Sequence, residues 1–279
     1  GPYYGHVHSY LNGLMGLLWQ AEVDQDDNLR DLVKSGYEFT RDTVGNGEIG
    51  MFGEGCATGD MIRLAIKLTQ CGAADYWEDV DKYVRNGLAE LQISDKNLSY
   101  LDPDSVHGTF MSDGTHIMGI PGGEPFQWAV CCEGNLMHGL YDAWKNILEF
   151  KGDFIQVNLL LNRTSEYCQV KSDLPYRGTC SVITKANLTR PDGTTITKIG
   201  IRIPEWVDKQ QVTLWRAGSV DTNWSWISTN YVYIENVTPS TSYTVQFPLV
   251  IRNNVPVSVT WSTSDMWQES NKPSSSWPV

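Results

Sequence analysis

Apolar residues recur every three or four positions through the first half of the chain and every second position through the rest. Between His6 and Trp19, Leu11, Leu14, Leu17 and Leu18 form the stripe of an amphipathic helix. The same spacing predicts helices over Asn28–Thr43, over Thr58–Gln70 with Met61, Leu64, Ala65 and Leu68 on one face, over Tyr76–Leu91, and over Cys132–Leu148 with Leu136, Leu140 and Trp144 as its stripe. Segments rich in Gly, Pro, Asp and Ser separate them: Val44–Gly53 and the long Ser94–Val130, which carries His107, His116, Glu124 and Trp128 and has the length of a functional loop. After Gly152 the period is two: Ile199, Ile201 and Ile203, then Val232 and Ile234, then Tyr243, Val245 and Phe247, then Val255, Val257 and Val259. Turn signals such as Pro191-Asp192-Gly193 fall at the short spacing of a sandwich. The expectation is an α+β multidomain chain: a helical region at 1–150, an antiparallel β-sandwich at 151–265 and a loose tail at 266–279.

At 279 residues the chain has room for two moderate domains. With 21 basic against 33 acidic residues its net charge is −12, which repels phosphate backbones and argues against a nucleic-acid partner. No apolar run approaches the ~18 residues that span a bilayer, and the start Gly1-Pro2-Tyr3-Tyr4 lacks a signal-peptide pattern. That Gly-Pro start resembles the scar left by a tag-removing protease, so upstream sequence is expected to be missing. Sequons at Asn97, Asn162, Asn187, Asn223 and Asn236 favour a secreted or periplasmic protein over a cytoplasmic one. Eleven tryptophans and thirteen tyrosines serve either as core or as platforms for sugar faces.

The chemistry is concentrated in the cysteines. Glu54-Gly55-Cys56 stands before one predicted helix and Cys131-Cys132 opens another. Adjacent cysteines rarely bond to each other, but two neighbouring thiolates with a Glu-x-Cys pair supply the four ligands of a tetrahedral zinc. Soft sulfur donors select zinc or an iron–sulfur cluster over magnesium or calcium, and one carboxylate among three sulfurs suits zinc. The alternative is that Cys56 is a small buried apolar residue and that Cys131 or Cys132 pairs elsewhere. Cys168 and Cys180 are spaced for a hairpin disulfide, and Cys71 sits near a helix end.

At these residues the chain resembles the zinc-dependent β-L-arabinofuranosidases of glycoside hydrolase family 127. The resemblance rests on Glu54-Gly55-Cys56-Ala57 and Cys131-Cys132-Glu133-Gly134-Asn135, each opening a helix. In the β part, Asp173-Leu174-Pro175-Tyr176-Arg177-Gly178 and Ile201-Arg202-Ile203-Pro204-Glu205-Trp206 also match family stretches, so the similarity extends from about His6 to Arg252. It implies a partial (α/α)6-barrel-type helical region, lacking its early helices, followed by the β-sandwich. It also implies a retaining glycosidase in which zinc is held by Glu54, Cys56, Cys131 and Cys132, and Cys131 is the nucleophile. The family's acid/base glutamate matches Glu48 in Gly47-Glu48-Ile49, where the segment leading to Glu54 is shorter than in the family; Glu38 and Glu124 are reserves. Gly5-His6-Val7-His8 resembles a sugar-holding segment in which His8 is the nearer match by position. His116 and Trp128 join it as candidate substrate contacts from their place in the long loop.

The leading expectation is therefore hydrolysis of L-arabinofuranosides or a related furanoside, with a carbohydrate as partner. One alternative is a non-catalytic carbohydrate-binding or structural protein that keeps the zinc site. Another is a polysaccharide lyase, against which the acidic balance weighs.

Overall fold

The computed structural model describes residues 6–45, 50, 52, 54–92, 130–228 and 230–250, and these divide into two compact units between Ala143 and Trp144. In the first unit, α1 (Val7–Asp24) and α2 (Asp27–Phe39) pack against each other and against α3 (Gly55–Gln70). The turn between α1 and α2 is fixed chemically: Gln25 takes the left-handed conformation, and Asp26 caps α2 by accepting from the Leu29 N–H at 3.1 Å. Helix α3 is the centre of the unit, buried nearly all round through Cys56, Met61, Ile62, Leu64, Ala65, Ile66 and Leu68. The Met, Ile and Leu side chains among them each contribute roughly 1.5–3 kcal/mol by leaving water.

The helix expected over Tyr76–Leu91 is broken into three pieces: α4 (Trp77–Lys82), a π-helical turn (Tyr83–Leu88) and the short α5 (Ala89–Leu91). A second π-helical turn, Thr40–Val44, extends α2. Around these turns Tyr37 donates to Asp79 Oδ2 at 2.8 Å, its hydroxyl stands 3.2 Å from that of Tyr83, and Arg41 reaches Asp79 at 3.3 Å. A buried carboxylate with hydroxyl and guanidinium partners is satisfied rather than stranded.

Helix α6 (Val130–Lys145) packs differently from its expected stripe. Leu140 and Trp144 are 36% and 46% exposed, whereas Cys132, Asn135, Leu136, Gly139 and Ala143 are buried. The buried face includes Gly139 because α6 crosses α3 too closely at that point for a larger residue. A Cβ built on Gly139 would stand 3.0 Å from the Gly59 Cα, and one on Gly59 would stand 2.5 Å from the Asn135 backbone oxygen.

The second unit holds two sheets, ordered β1-β2-β6-β10-β9 and β3-β4-β5-β11-β7-β8. The first comprises β1 (Leu148–Lys151), β2 (Phe154–Val157), β6 (Lys198–Arg202), β9 (Ser225–Ile227) and β10 (Tyr231–Ile234). The second comprises β3 (Arg163–Thr164), β4 (Cys168–Ser172), β5 (Thr179–Thr184), β7 (Thr213–Arg216), β8 (Ser219–Asp221) and β11 (Ser242–Gln246). Alternate residues of β5 and β11 are buried, as period-two patterning requires, and the inward rows Ile155, Val157, Ile199, Ile201, Val232 and Ile234 and Val170, Val182, Leu214 and Val245 form the core.

Two expectations need correction here. The sandwich is not wholly antiparallel, since β2 pairs with β6 in parallel through Ile155 opposite Ile199 and Val157 opposite Ile201. The chain leaves the first sheet after β2, makes β3, β4 and β5 in the other sheet, and returns in its original direction; only a long connection of this kind permits a parallel pair. Cys168 and Cys180 do not form a hairpin disulfide. In the β4–β5 ladder Cys168 faces Thr184 and Cys180 faces Ser172, four residues or about 13 Å apart along the strand, and both are buried thiols.

The two β motifs that resembled family stretches serve the fold. Asp173 accepts the N–H groups of Tyr176 and Arg177 to close a turn, and Gly178 lets the Phe247 carbonyl approach to 2.0 Å of where a Cβ would stand. Arg202 is fully buried in β6, and the Trp206 ring meets Phe247 edge-on at 5.8 Å.

Candidate metal centre

Three sulfurs meet where two helices begin. Cys56 is the second residue of α3, and Cys131 and Cys132 are the second and third of α6. Their Sγ atoms all lie within 4.8 Å of one another, with Cys56 and Cys132 3.2 Å apart. A helix N-terminus presents unpaired N–H groups and the positive end of the macrodipole, and two of them converge on this cluster. Cys56 and Cys132 are buried, whereas Cys131 faces solvent. Hydrogen bonding with Cys132 and burial push the Cys56 thiol far up, and the nearby charges of Glu54 and Cys131 add to the effect.

The donor set fits a zinc ion. Tetrahedral zinc with Zn–S bonds of about 2.3 Å holds its sulfurs about 3.8 Å apart, between the 3.2 Å of the Cys56–Cys132 pair and the 4.8 Å within which all three sulfurs lie. Glu54, at the N-cap of α3, is half-buried and makes no side-chain cap hydrogen bond. Its Oε1 accepts from His6 Nε2 at 2.9 Å, while His6 Nδ1 accepts from Ser9 Oγ at 2.9 Å, which fixes the ring. Among the described residues, the group of donor atoms that lie within 4.8 Å of one another is the three sulfurs alone; Glu54, expected as the fourth ligand, is not part of it and is held by His6 instead.

Beneath the sulfurs lies a polar network in which Asp60, Arg63 and Asp142 were not singled out from the sequence, whereas Asn135 belongs to the Cys131–Asn135 motif and His8 was a candidate sugar contact. Asn135 Nδ2 donates to the Cys56 carbonyl oxygen at 2.6 Å and to Asp60 Oδ1 at 2.8 Å, and Asn135 Oδ1 accepts from Arg63 Nη1 at 3.2 Å. His8 Nδ1 donates to Asp60 Oδ2 at 2.6 Å, and Asp142 pairs with Arg63 Nε at 3.4 Å. Burial pushes the Asp60 carboxyl up against the opposing pull of His8 and Asn135. The signal for these residues was present: Asp60 is one helical turn after Cys56, and Asn135 is one turn after Cys131 and Cys132.

Of the other expected site residues, His8 sits on this network, 24% exposed at its side chain, and the reserve Glu38 accepts from the Tyr76 hydroxyl at 2.8 Å. Glu48, His107, His116, Glu124 and Trp128 lie outside the described residues. No described helix is long and apolar enough to cross a membrane.

No family model matches the sequence, and no curated protein matches it significantly. Solved structures do match. A family 127 β-L-arabinofuranosidase from Geobacillus stearothermophilus T6 superposes over 89% of this chain with a TM-score of 0.61 at 16% identity. The fold is shared with that family. A second family 127 β-arabinofuranosidase superposes over 88% of this chain with a TM-score of 0.64 at 15% identity. This chain spans 43% of the length of each of these structures, and at such identities the likeness establishes the architecture: a helical region followed by two β-sheets.

Proposed function

We propose that the chain is the site-bearing part of a retaining glycoside hydrolase acting on L-arabinofuranosides or a related furanoside. The observation that carries this reading is the meeting of Cys56, Cys131 and Cys132 at two helix N-termini, with Cys131 alone of the three turned to solvent. The shared architecture supports it. Glu54 completes the donor set for zinc, and the bound ion supplies the positive charge that keeps the sulfurs ionised near neutral pH.

Cys131 Sγ then attacks the anomeric carbon as its bond to the leaving oxygen breaks, forming a thioglycosyl intermediate. The leaving oxygen takes a proton from the general acid, for which Glu48 is the candidate. Water next attacks the same carbon, its proton passes to the glutamate, the carbon–sulfur bond breaks and the thiolate returns, so two inversions give retention. His8, His116 and Trp128 are candidates for holding the sugar.

Release of arabinose from an aryl β-L-arabinofuranoside tests the reading. Cys131→Ser, with folding verified by circular dichroism, is expected to lower turnover by on the order of 10³ or more. Turnover unchanged in that variant removes Cys131 as nucleophile. Calorimetric sugar binding by wild-type protein with no release of product favours the non-catalytic carbohydrate-binding alternative instead.

A further inference from the structure

Asn135 is a buried amide whose donor and acceptor ends are all engaged across a helix crossing. It belongs to α6, one turn beyond the vicinal cysteines, yet its Nδ2 reaches the backbone oxygen of Cys56 itself on α3. The same nitrogen is held by Asp60, which is anchored in turn by His8, and the amide oxygen is held by Arg63, which Asp142 braces. The Asn135 backbone oxygen also rests against Gly59, with no room for a methyl. The residue is thus held through both its side-chain amide and its backbone, and sliding α3 along α6 or rotating either helix breaks at least one of these contacts. Metal sites tolerate ligand distances only within about 0.2 Å of ideal, so a site built from two separate helices needs its register fixed by something other than the metal. At the crossing itself the contact is between Gly59, Gly139 and the Asn135 backbone, so interlocking of large apolar side chains does not set the register there.

We propose that Asn135, braced by Asp60, is the positioning residue of the sulfur cluster: it sets the register of α3 on α6 so that the Cys56 sulfur stands at metal-ligating distance from Cys131 and Cys132. The inference rests on the zinc reading above. It assigns Asn135 no contact with substrate and no part in proton transfer.

The test compares the wild-type chain with Asn135→Ala, Asp60→Asn and Leu136→Ala. Leu136 is the next residue on α6 and fully buried, so its truncation weakens the same helix without touching the clamp. Zinc affinity is measured by competition with a chromophoric chelator, cobalt substitution reports the thiolate charge-transfer and d–d bands, and urea unfolding of the metal-free chains reports stability. Asn135→Ala is expected to weaken zinc binding about 10- to 100-fold and to alter the cobalt spectrum. Leu136→Ala is expected to lower metal-free stability at least as much while its zinc affinity stays within about threefold and its cobalt spectrum is unchanged. Affinity and spectrum unchanged in Asn135→Ala, or affinity losses in the two variants that merely follow their stability losses, overturn the proposal. Where Asn135→Ala does not fold, Asp60→Asn, which keeps the shape and removes the anchoring charge, carries the decision: zinc at least about threefold weaker supports the clamp, and unchanged zinc sinks it. A wild-type chain that takes up neither zinc nor cobalt defeats the metal reading itself, an outcome distinct from wild-type binding that the clamp variants leave intact.

Discussion

Gly59→Ala puts a methyl group where the Asn135 backbone oxygen would lie at 2.5 Å and its carbonyl carbon at 2.9 Å. Ordinary contact starts at 3.4 Å, so the α6 backbone must give by about 0.9 Å, and a backbone carbonyl cannot swing aside as a side-chain end does. Overpacking of this kind costs about 1–3 kcal/mol, and a rigid neighbour places this case at about 2–3 kcal/mol. Alanine returns about 1 kcal/mol of helix propensity, leaving a net loss of about 1–2 kcal/mol. Gly16 is the control: it is exposed in α1, and a Cβ there meets no described atom within 4 Å. There propensity acts alone, and Gly16→Ala is expected to gain about 0.5–1 kcal/mol. Urea unfolding of the two variants under one set of conditions should therefore move their midpoints in opposite directions. A Gly59→Ala chain as stable as Gly16→Ala refutes the close crossing of α3 and α6, and with it the account of how the sulfurs are brought together.

The remaining predictions concern protonation and thiol access. Burial, then the charges of Tyr83 and Asp79, hold the Tyr37 hydroxyl well above the usual tyrosine value, and burial together with the Asp79 charge does the same for Tyr83. Both groups stay protonated in the folded chain while the unfolded chain releases its protons above about pH 10, so stability falls as pH rises from there. Each contributes a slope of up to about 1.4 kcal/mol per pH unit, and urea midpoints from pH 9 to 11 should fall less steeply for Tyr83→Phe than for wild type; parallel curves refute the assignment. Iodoacetamide should alkylate Cys131 well before Cys56 and Cys132 in the folded chain, with zinc slowing the reaction. Peptide mass mapping checks the order, and early labelling of Cys56 contradicts the burial pattern.

What the sequence disclosed follows from which features have a period. Helix α3 and strands β6, β10 and β11 bury the residues their spacing marks, and α1 buries Leu11, Leu14 and Leu18 of its stripe while Leu17 is 40% exposed. The start of α3 was expected at Thr58, three residues late, since Gly55-Cys56-Ala57 carries no apolar stripe and glycine disfavours a helix. The end of α6 was expected at Leu148, which instead opens β1: Leu136, Leu140, Trp144 and Leu148 are four apart and satisfy a helical period even though Leu140 and Trp144 stay exposed. Apart from Leu136, the buried face of α6 is small and partly polar, which hydrophobicity does not register. Strand alternation says which face is buried but not which way a neighbour runs, so the parallel β2–β6 pair was out of reach. The π-helical turns depend on tertiary packing and leave no periodic trace. At the site, Glu54-x-Cys56 and Cys131-Cys132 were legible because sulfur chemistry constrains spacing. Asn135 stood in the Cys131–Asn135 motif and Asp60 one turn after Cys56, but the hydrogen bonds that join them became visible only once the helices were placed.

Elemental analysis of the purified chain, after dialysis against metal-free buffer following zinc loading, addresses the central claim most directly. The sulfur cluster predicts one zinc per chain, lost when Cys56 and Cys132 are both replaced by serine. A wild-type chain that retains no zinc, or one that retains it equally well without those two sulfurs, contradicts the account.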